Sequence, residues 1–250
     1  MEILGIDIGG SGIKGAIVNL ETGEFVAPKF RIPTPESREP EEMARVIKSL
    51  VEHFKYEGVV GCGFPTIVKK GICKDEGNLS KKWVGVNIEE LFEKATGLKF
   101  AVINDADAAG LAEIKFGAGK EEDGFTLMIT VGTGLGSGAY CSGDLIPNFE
   151  LGQLSYNEYE KIEDWAASSV KKREKLSFKE WGSRFNIFLN HIYKILNPDL
   201  ILIGGGISKD WLEFKDQLNV NTNIAPAKLR NKAGIMGAAI AAKHKFQPRN

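Results

Sequence analysis

The sequence predicts an α/β protein with a duplicated core and a glycine-rich hairpin in each half. Three observations carry this. First, Gly5-Ile6-Asp7-Ile8-Gly9-Gly10-Ser11-Gly12-Ile13-Lys14-Gly15-Ala16 parallels Met128-Ile129-Thr130-Val131-Gly132-Thr133-Gly134-Leu135-Gly136-Ser137-Gly138-Ala139. The two strand–glycine–strand units lie about half a chain apart, and such self-similarity signals an internal repeat. Second, the 29 glycines gather in a few clusters at strand ends. Third, strand patterns alternate with helix patterns, as an open α/β sheet requires.

At 250 residues the chain is long enough for one large or two smaller cores. It is 43% hydrophobic and 26% charged, with a net charge of −1. No global field draws it to nucleic acid or a membrane surface. Its apolar runs are far shorter than a bilayer span. A strand pattern begins at Glu2, with no basic and apolar leader before it. The three cysteines, Cys62, Cys73 and Cys141, form neither a disulfide framework nor a zinc pattern. They read as small buried or half-buried thiols in a reducing, cytoplasmic setting.

In order, Ile3–Asp7 reads as a buried strand and Ile13–Val18 as its return, with a third strand near Phe25–Arg31. Glycine tolerates φ > 0 and lets backbone N–H groups approach an anion, so four glycines beside Asp7 and Lys14 point to an anionic ligand. Met43, Val46, Ile47, Leu50, Val51 and Phe54 recur at helical spacing between Glu39 and Tyr56. His53 lies beside that face and reads as structural. Gly58–Pro65 is a strand, residues 66–82 a loop or short hairpin with solvated lysines, and Ile88–Thr96 a helix closed by Gly97.

Phe125–Val131 and Ala139–Cys141 flank the second glycine turn, and Asp144–Ser155 reads as turn and loop. Helices are expected over Ile162–Glu174 and Phe178–Leu196. The second carries Trp181, Phe185, Phe188, Leu189, Ile192 and Ile195 as a core stripe, with His191 at its surface. Leu200–Ile203 is a strand, Gly204-Gly205-Gly206 a third glycine cluster before a helix, and Ile224–Pro226 a last short strand. An alanine-rich helix closes the chain, its small residues permitting close packing.

Between the two hairpins stands Ile103-Asn104-Asp105-Ala106-Asp107-Ala108-Ala109-Gly110, which ends a strand and opens a helix. Asn and Asp suit a helix N-cap. A carboxylate at the C-terminal end of a strand in an open α/β sheet also sits where ligands bind, and can take a proton from a hydroxyl. Both readings stand on this segment alone. Glu150 and Gln153 are likewise either solvated loop residues or substrate contacts.

Taken together, the hairpins at 7–15 and 130–138 and the Gly204-Gly205-Gly206 turn resemble the nucleotide-binding signatures of the actin-like sugar-kinase superfamily. Asn104-Asp105-Ala106-Asp107-Ala108-Ala109 resembles the N-D-A-N-A-A segment of ROK-family sugar kinases. Pro147–Gly152, Arg173–Trp181, Ala225–Ile235 and Asn78–Gly85 are similar to the polyphosphate glucokinase branch, and the resemblance spans about residues 2 to 242. It implies two RNase-H-like (actin/hexokinase-type) domains with a cleft between them: residues 1–105 with a returning closing helix at 234–250, and residues 106–233. It implies a glucose 6-hydroxyl as acceptor, polyphosphate or ATP as donor, and Asp105 as general base. Asn78, Asn104, Glu150 and Gln153 would bind the sugar. Asp7, Gly9, Gly10, Ser11, Gly12, Lys14, Gly132, Thr133, Gly134, Gly204, Gly205 and Gly206 would hold the phosphates or nucleotide. Asp7 would help hold Mg²⁺ through water, and a homodimer is expected. The basic residues at 171–175 and 228–232 suit a polyanion.

Two departures accompany the resemblance. Most ROK kinases follow E-x-G-H with a cysteine-rich zinc loop; no cysteine follows Cys141 here, so no zinc is expected. The polyphosphate branch keeps the histidine, and here that position is Gln153, which opens the choice of hexose, such as mannose. The second sugar-binding acid corresponds to Glu163 or Asp164. A non-catalytic sugar sensor is the alternative from another class. ROK repressors carry an N-terminal helix-turn-helix, whereas here the first strand pattern begins near residue 3.

Overall fold

The computed structural model describes residues 1–247. It divides into two compact units, residues 1–112 with 231 onward, and residues 113–230.

The first unit begins with β1 (Glu2–Gly9), β2 (Gly12–Asn19) and β3 (Phe30–Ile32). The helix α1 (Pro40–Phe54) and the strand β4 (Val60–Phe64) follow, then the small hairpin β5 (Val68–Lys69) and β6 (Ile72–Cys73). Next come α2 (Ile88–Thr96), β7 (Phe100–Asn104) and α3 (Asp105–Phe116), whose last turn crosses into the second unit. The sheet order is β3-β2-β1-β4-β7, antiparallel through β1 and parallel beyond it.

The second unit holds β8 (Phe125–Val131), β9 (Leu135–Cys141), β10 (Asp144–Ile146), α4 (Glu163–Ala166), α5 (Ser168–Arg173), α6 (Phe178–Leu196), β11 (Leu200–Gly204), α7 (Trp211–Phe214) and β12 (Asn223–Pro226). Its sheet runs β10-β9-β8-β11-β12, again antiparallel through β8 and parallel beyond. The two sheets have one topology, so the repeat seen in the sequence is a repeat of architecture. The last helix, α8 (Ala233–Phe246), returns to the first unit. Residues 248–250 of the expected closing helix lie outside the described residues.

Each sheet is sealed by an amphipathic helix. In α1, Met43, Ile47, Leu50 and Val51 are buried against the first sheet. Pro40 starts the helix, where its missing N–H costs nothing. In α6, Ser177 and Glu180 form a capping box, and Trp181, Phe185, Phe188, Leu189 and Ile192 are fully buried. Each such side chain contributes about 1.5–3 kcal/mol of burial. The stripe stops there, because Ile195 is 64% exposed rather than in the core.

The close approach of α8 is permitted from the strand side as well. A Cβ on Gly5 would lie 2.0 Å from the Ile235 carbonyl oxygen, and one on Gly61 would lie 1.8 Å from that of Ala238. Two strand glycines thus let α8 lie against β1 and β4 at backbone contact.

Several local readings are corrected. The third strand is only Phe30–Ile32, with Phe25 bridging to Val18, because Pro28 lacks the N–H a longer ladder needs. The helix expected over 162–174 breaks into α4 and α5 at Ala167, whose backbone is extended. The segment 144–155 contains β10 and a 3₁₀ turn at Leu151–Gln153. After Gly205 comes a 3₁₀ turn, Gly206–Asp210, before the single turn of α7.

Candidate active site

In the first unit, β1 and β2 meet through the turn Gly10–Ser11, with Gly9 paired to Gly12 and Asp7 to Lys14. Lys14 Nζ lies 3.5 Å from Asp7 Oδ2. Burial raises the pKa of the Asp7 carboxyl, and the Lys14 charge and hydrogen bond pull part of the way back. None of Gly9, Gly10 and Gly12 takes a positive φ, contrary to the conformational reason read from the sequence. The Arg31 guanidinium packs close to Gly12, where a Cβ would lie 2.3 Å from Arg31 Nε and push that side chain aside.

Two arginines hold this turn. Arg31 donates to the Ser11 carbonyl, and Arg38 Nη2 donates to that of Gly10 at 3.5 Å. Arg38 Nη1 also donates to the Asn78 carbonyl at 2.6 Å, which ties the Asn78 loop to the hairpin. Thr34 Oγ1 donates to the Gly9 carbonyl at 2.6 Å. Gly10, Thr34, Arg38, Asn78 and Ser80 line a cavity of about 570 Å³. Arg31 and Arg38 went unnoticed in the sequence, where each is one arginine among loop residues.

The Asn104–Asp105 junction resolves into two tasks. Asn104 Oδ1 accepts the N–H groups of Ala106 (2.8 Å) and Asp107 (3.2 Å), so Asn104 is the cap of α3. Its Nδ2 donates to the Thr66 carbonyl at 3.3 Å, which leaves one N–H of this buried amide as a further donor. Asp105 is the first residue of α3, half-buried, at the C-terminal edge of β7.

In the second unit, the turn Gly132–Gly134 joins β8 to β9. Ser168 Oγ donates to the Gly132 carbonyl at 2.8 Å and Ser169 Oγ to that of Thr133 at 2.6 Å. Gly205, at φ +77°, lies beneath this turn; its Cβ would be 2.4 Å from the Val131 carbonyl oxygen. Gly204 ends β11. A Cβ on Gly206 would meet open space.

Glu150 precedes the 3₁₀ turn after β10 and Gln153 ends it, Glu150 half-buried and Gln153 exposed. Ser137 fixes this turn: its Oγ donates to the Phe149 carbonyl at 2.6 Å and accepts the Leu151 N–H at 2.9 Å. The hydroxyl inside Gly136-Ser137-Gly138 was the sequence signal for that role. Gln153 Nε2 donates to Glu163 Oε1 at 3.0 Å, while Glu163 Oε2 accepts the Leu135 N–H at 3.0 Å. Asp164 is exposed and makes no such link to Gln153, so Glu163 is the acid joined to this site.

A family model described as ROK family matches residues 3–148. The chain is 40% identical over 238 residues to a polyphosphate glucokinase of Mycobacterium tuberculosis, covering 95% of this chain and 89% of the relative. It resembles the crystal structure of an inorganic polyphosphate/ATP-glucomannokinase from Arthrobacter sp. strain KM, with TM-score 0.91 and 39% identity, covering 98% of this chain and 99% of that one. A ROK family glucokinase from Streptomyces griseus, solved with glucose and AMPPNP, has the same fold, with TM-score 0.82 at 22% identity and coverage of 98% and 100%. With both sheets built to one plan, a glycine hairpin in each, and similarity that runs nearly end to end, the chain belongs to the ROK family.

Proposed function

We propose that the protein transfers the terminal phosphoryl group of polyphosphate or ATP to the 6-hydroxyl of glucose. The observation that carries this reading is the division of labour at the α3 start: Asn104 serves as the cap, and Asp105 stands beside it at the sheet edge. The 40% identity to polyphosphate glucokinases supports the reaction class.

In this reading Asp105 takes the proton of the attacking hydroxyl. Asn78, Asn104, Glu150 and Gln153 hold sugar hydroxyls. The hairpins at 9–12 and 132–134, with the turn at 204–206, present backbone N–H groups to phosphate oxygens. Phosphoryl transfer depends mainly on such positioning and charge stabilisation.

Asp7 suits Mg²⁺. Among the described residues no three acidic, His or Cys side chains cluster as a metal cage. Mg²⁺ needs none, since it binds through one or two carboxylates, waters and substrate phosphates. Gly234 keeps the space beside Asp7 clear, as a Cβ there would lie 2.9 Å from the carboxyl carbon. When bound, Mg²⁺ neutralises charge on the transferred phosphoryl group.

Gln153 favours a second reading of the sugar, with mannose accepted beside glucose; the similar Arthrobacter enzyme is named a glucomannokinase. A matrix of donors against hexoses, run with the purified protein and Mg²⁺, tests both. Glucose 6-phosphate is expected with polyphosphate, ATP or both. Absence of turnover with either donor on every hexose, with sugar binding retained, would make the protein a sugar-binding member without catalysis. Sedimentation of the same sample tests the homodimer that the family resemblance implies.

A further inference from the structure

Beside the second hairpin lies a cavity of about 440 Å³, within the range that accepts small ligands. Gly132 and Thr133 form one wall, Lys171, Lys172 and Phe178 another, and Lys209 stands on the 3₁₀ turn after Gly205. The lining carries three lysines and a single carboxylate, that of Asp210. The Gly132 and Thr133 carbonyls, which would repel an anion, are taken by Ser168 and Ser169. The site is thus built for a chain of negative charge.

Phe178 is the only aromatic among the lining residues. Its ring is the flat apolar surface on which a purine would stack. Lys171 Nζ sits over one face of that ring, 3.9 Å from its centroid. A base stacking on that face would have to displace the ammonium. A linear polyphosphate has no base to place and needs only cations beside the glycine turn, where Lys171, Lys172 and Lys209 line the cavity.

We infer that Lys171, seated over Phe178, sets the donor preference of this site toward linear polyphosphate over a nucleoside triphosphate. This rests on the proposed phosphotransferase reading and names the determinant of its donor.

The test compares kcat/KM for polyphosphate and for ATP at saturating glucose, in the wild-type chain and in Lys171→Met, Lys171→Arg and the double variant Lys171→Met with Phe178→Leu. Loss of one charge-assisted contact corresponds to about tenfold in affinity. Lys171→Met should therefore lower kcat/KM for polyphosphate about tenfold, and that for ATP by clearly less. Lys171→Arg should restore the polyphosphate value. Added to Lys171→Met, where the ring face is open, Phe178→Leu removes the stacking surface and should weaken ATP more than polyphosphate. Counterion release adds a second readout: the dependence of log KM for polyphosphate on log salt should become shallower by about 0.7 in Lys171→Met. Equal losses for both donors, or an unchanged polyphosphate value, would overturn the inference. Calorimetric binding of polyphosphate and of a non-hydrolysable ATP analogue to the same proteins reads the preference without turnover. A wild-type chain that binds polyphosphate through Lys171 yet phosphorylates no hexose would sink the proposed function alone. Matching melting temperatures show that the variants fold.

Discussion

Gln153 donates its side-chain amide to Glu163 at 3.0 Å, and the same carboxylate receives the Leu135 N–H of the second glycine hairpin. A carboxylate accepts only, so the Gln153 atom facing it is the nitrogen, and the amide oxygen and the second N–H are left for a ligand. A sugar hydroxyl meeting residue 153 can therefore donate to the oxygen or accept from that N–H. Gln153→His places there a ring that titrates between about pH 5.5 and 7.5. The sugar KM of that variant should change across this window relative to wild type, measured at saturating donor. Superimposable pH profiles would show that residue 153 does not meet the sugar.

Asp105→Asn keeps the size of the side chain and removes its basicity. Loss of a general base costs about 10²–10⁴-fold in turnover. We expect kcat to fall by that amount, with glucose affinity by calorimetry within a few-fold of wild type. Near-normal kcat would remove Asp105 from the chemistry.

Two glycines should respond oppositely to alanine. A Cβ on Gly237 would lie 1.6 Å from the Ala108 carbonyl oxygen, so Gly237→Ala forces α8 off its seat and should cost about 1–3 kcal/mol of stability. A Cβ on Gly10 meets nothing within 4 Å. Gly10→Ala should leave the melting temperature unchanged while raising the donor KM, if that turn holds phosphate. Thermal melts and donor titrations separate the two effects.

Burial pushes the Cys62 thiol well above its ordinary range, and the nearby Asp7 charge adds to this; burial raises Cys73 as well. Both should resist a thiol reagent at pH 8, whereas the exposed Cys141 reacts at once. The sign for stability follows from proton counts. Above about pH 8.5 the unfolded thiols ionise while the folded ones keep their protons, so this contribution is lost as pH rises further. One rapidly labelled cysteine by mass spectrometry is expected; three would contradict the buried placement.

Glu113 is fully buried and its carboxylate accepts three backbone N–H groups: Ala118 (2.8 Å), Lys228 (3.1 Å) and Leu229 (2.6 Å). Glu113→Gln turns an amide donor toward at least one of them. A lost bond to a charged group, with its donor left buried, costs about 1.5–3 kcal/mol. Urea titration should show that loss, with the largest rise in amide exchange at 228–229.

The hairpins, the repeat and the length of α6 were legible because each rests on a local pattern: glycine clusters, a two-residue period, a capping box. For the candidate site, residue type nominated Asp105, Asn104 and the glycine turns, and the structure adds that Asn104 caps α3. What could not be read depends on distant partners. Arg38 matters because its guanidinium spans the carbonyls of Gly10 and Asn78, which are far apart in sequence. Glu163 became distinguishable from Asp164 only through its bonds to Gln153 and Leu135. The hairpin glycines were expected in part for positive φ values, which Gly9, Gly10 and Gly12 do not take, and the Arg31 guanidinium packs beside Gly12. Ala167 breaks a helix although alanine is the best helix former, which tertiary packing overrides.

The return of α8 to the first unit fixes an order of assembly. The second unit is one continuous stretch, residues 113–230, whereas the first waits for residues 231 onward. During synthesis at about 5–20 residues per second, domains fold as units when their chain is available. The second unit therefore has all its chain before the first does. Until α8 emerges, the glycine-lined backs of β1 and β4 stay bare, and Asp7 waits for Gly234 at its side. The unit that begins first is the unit completed last.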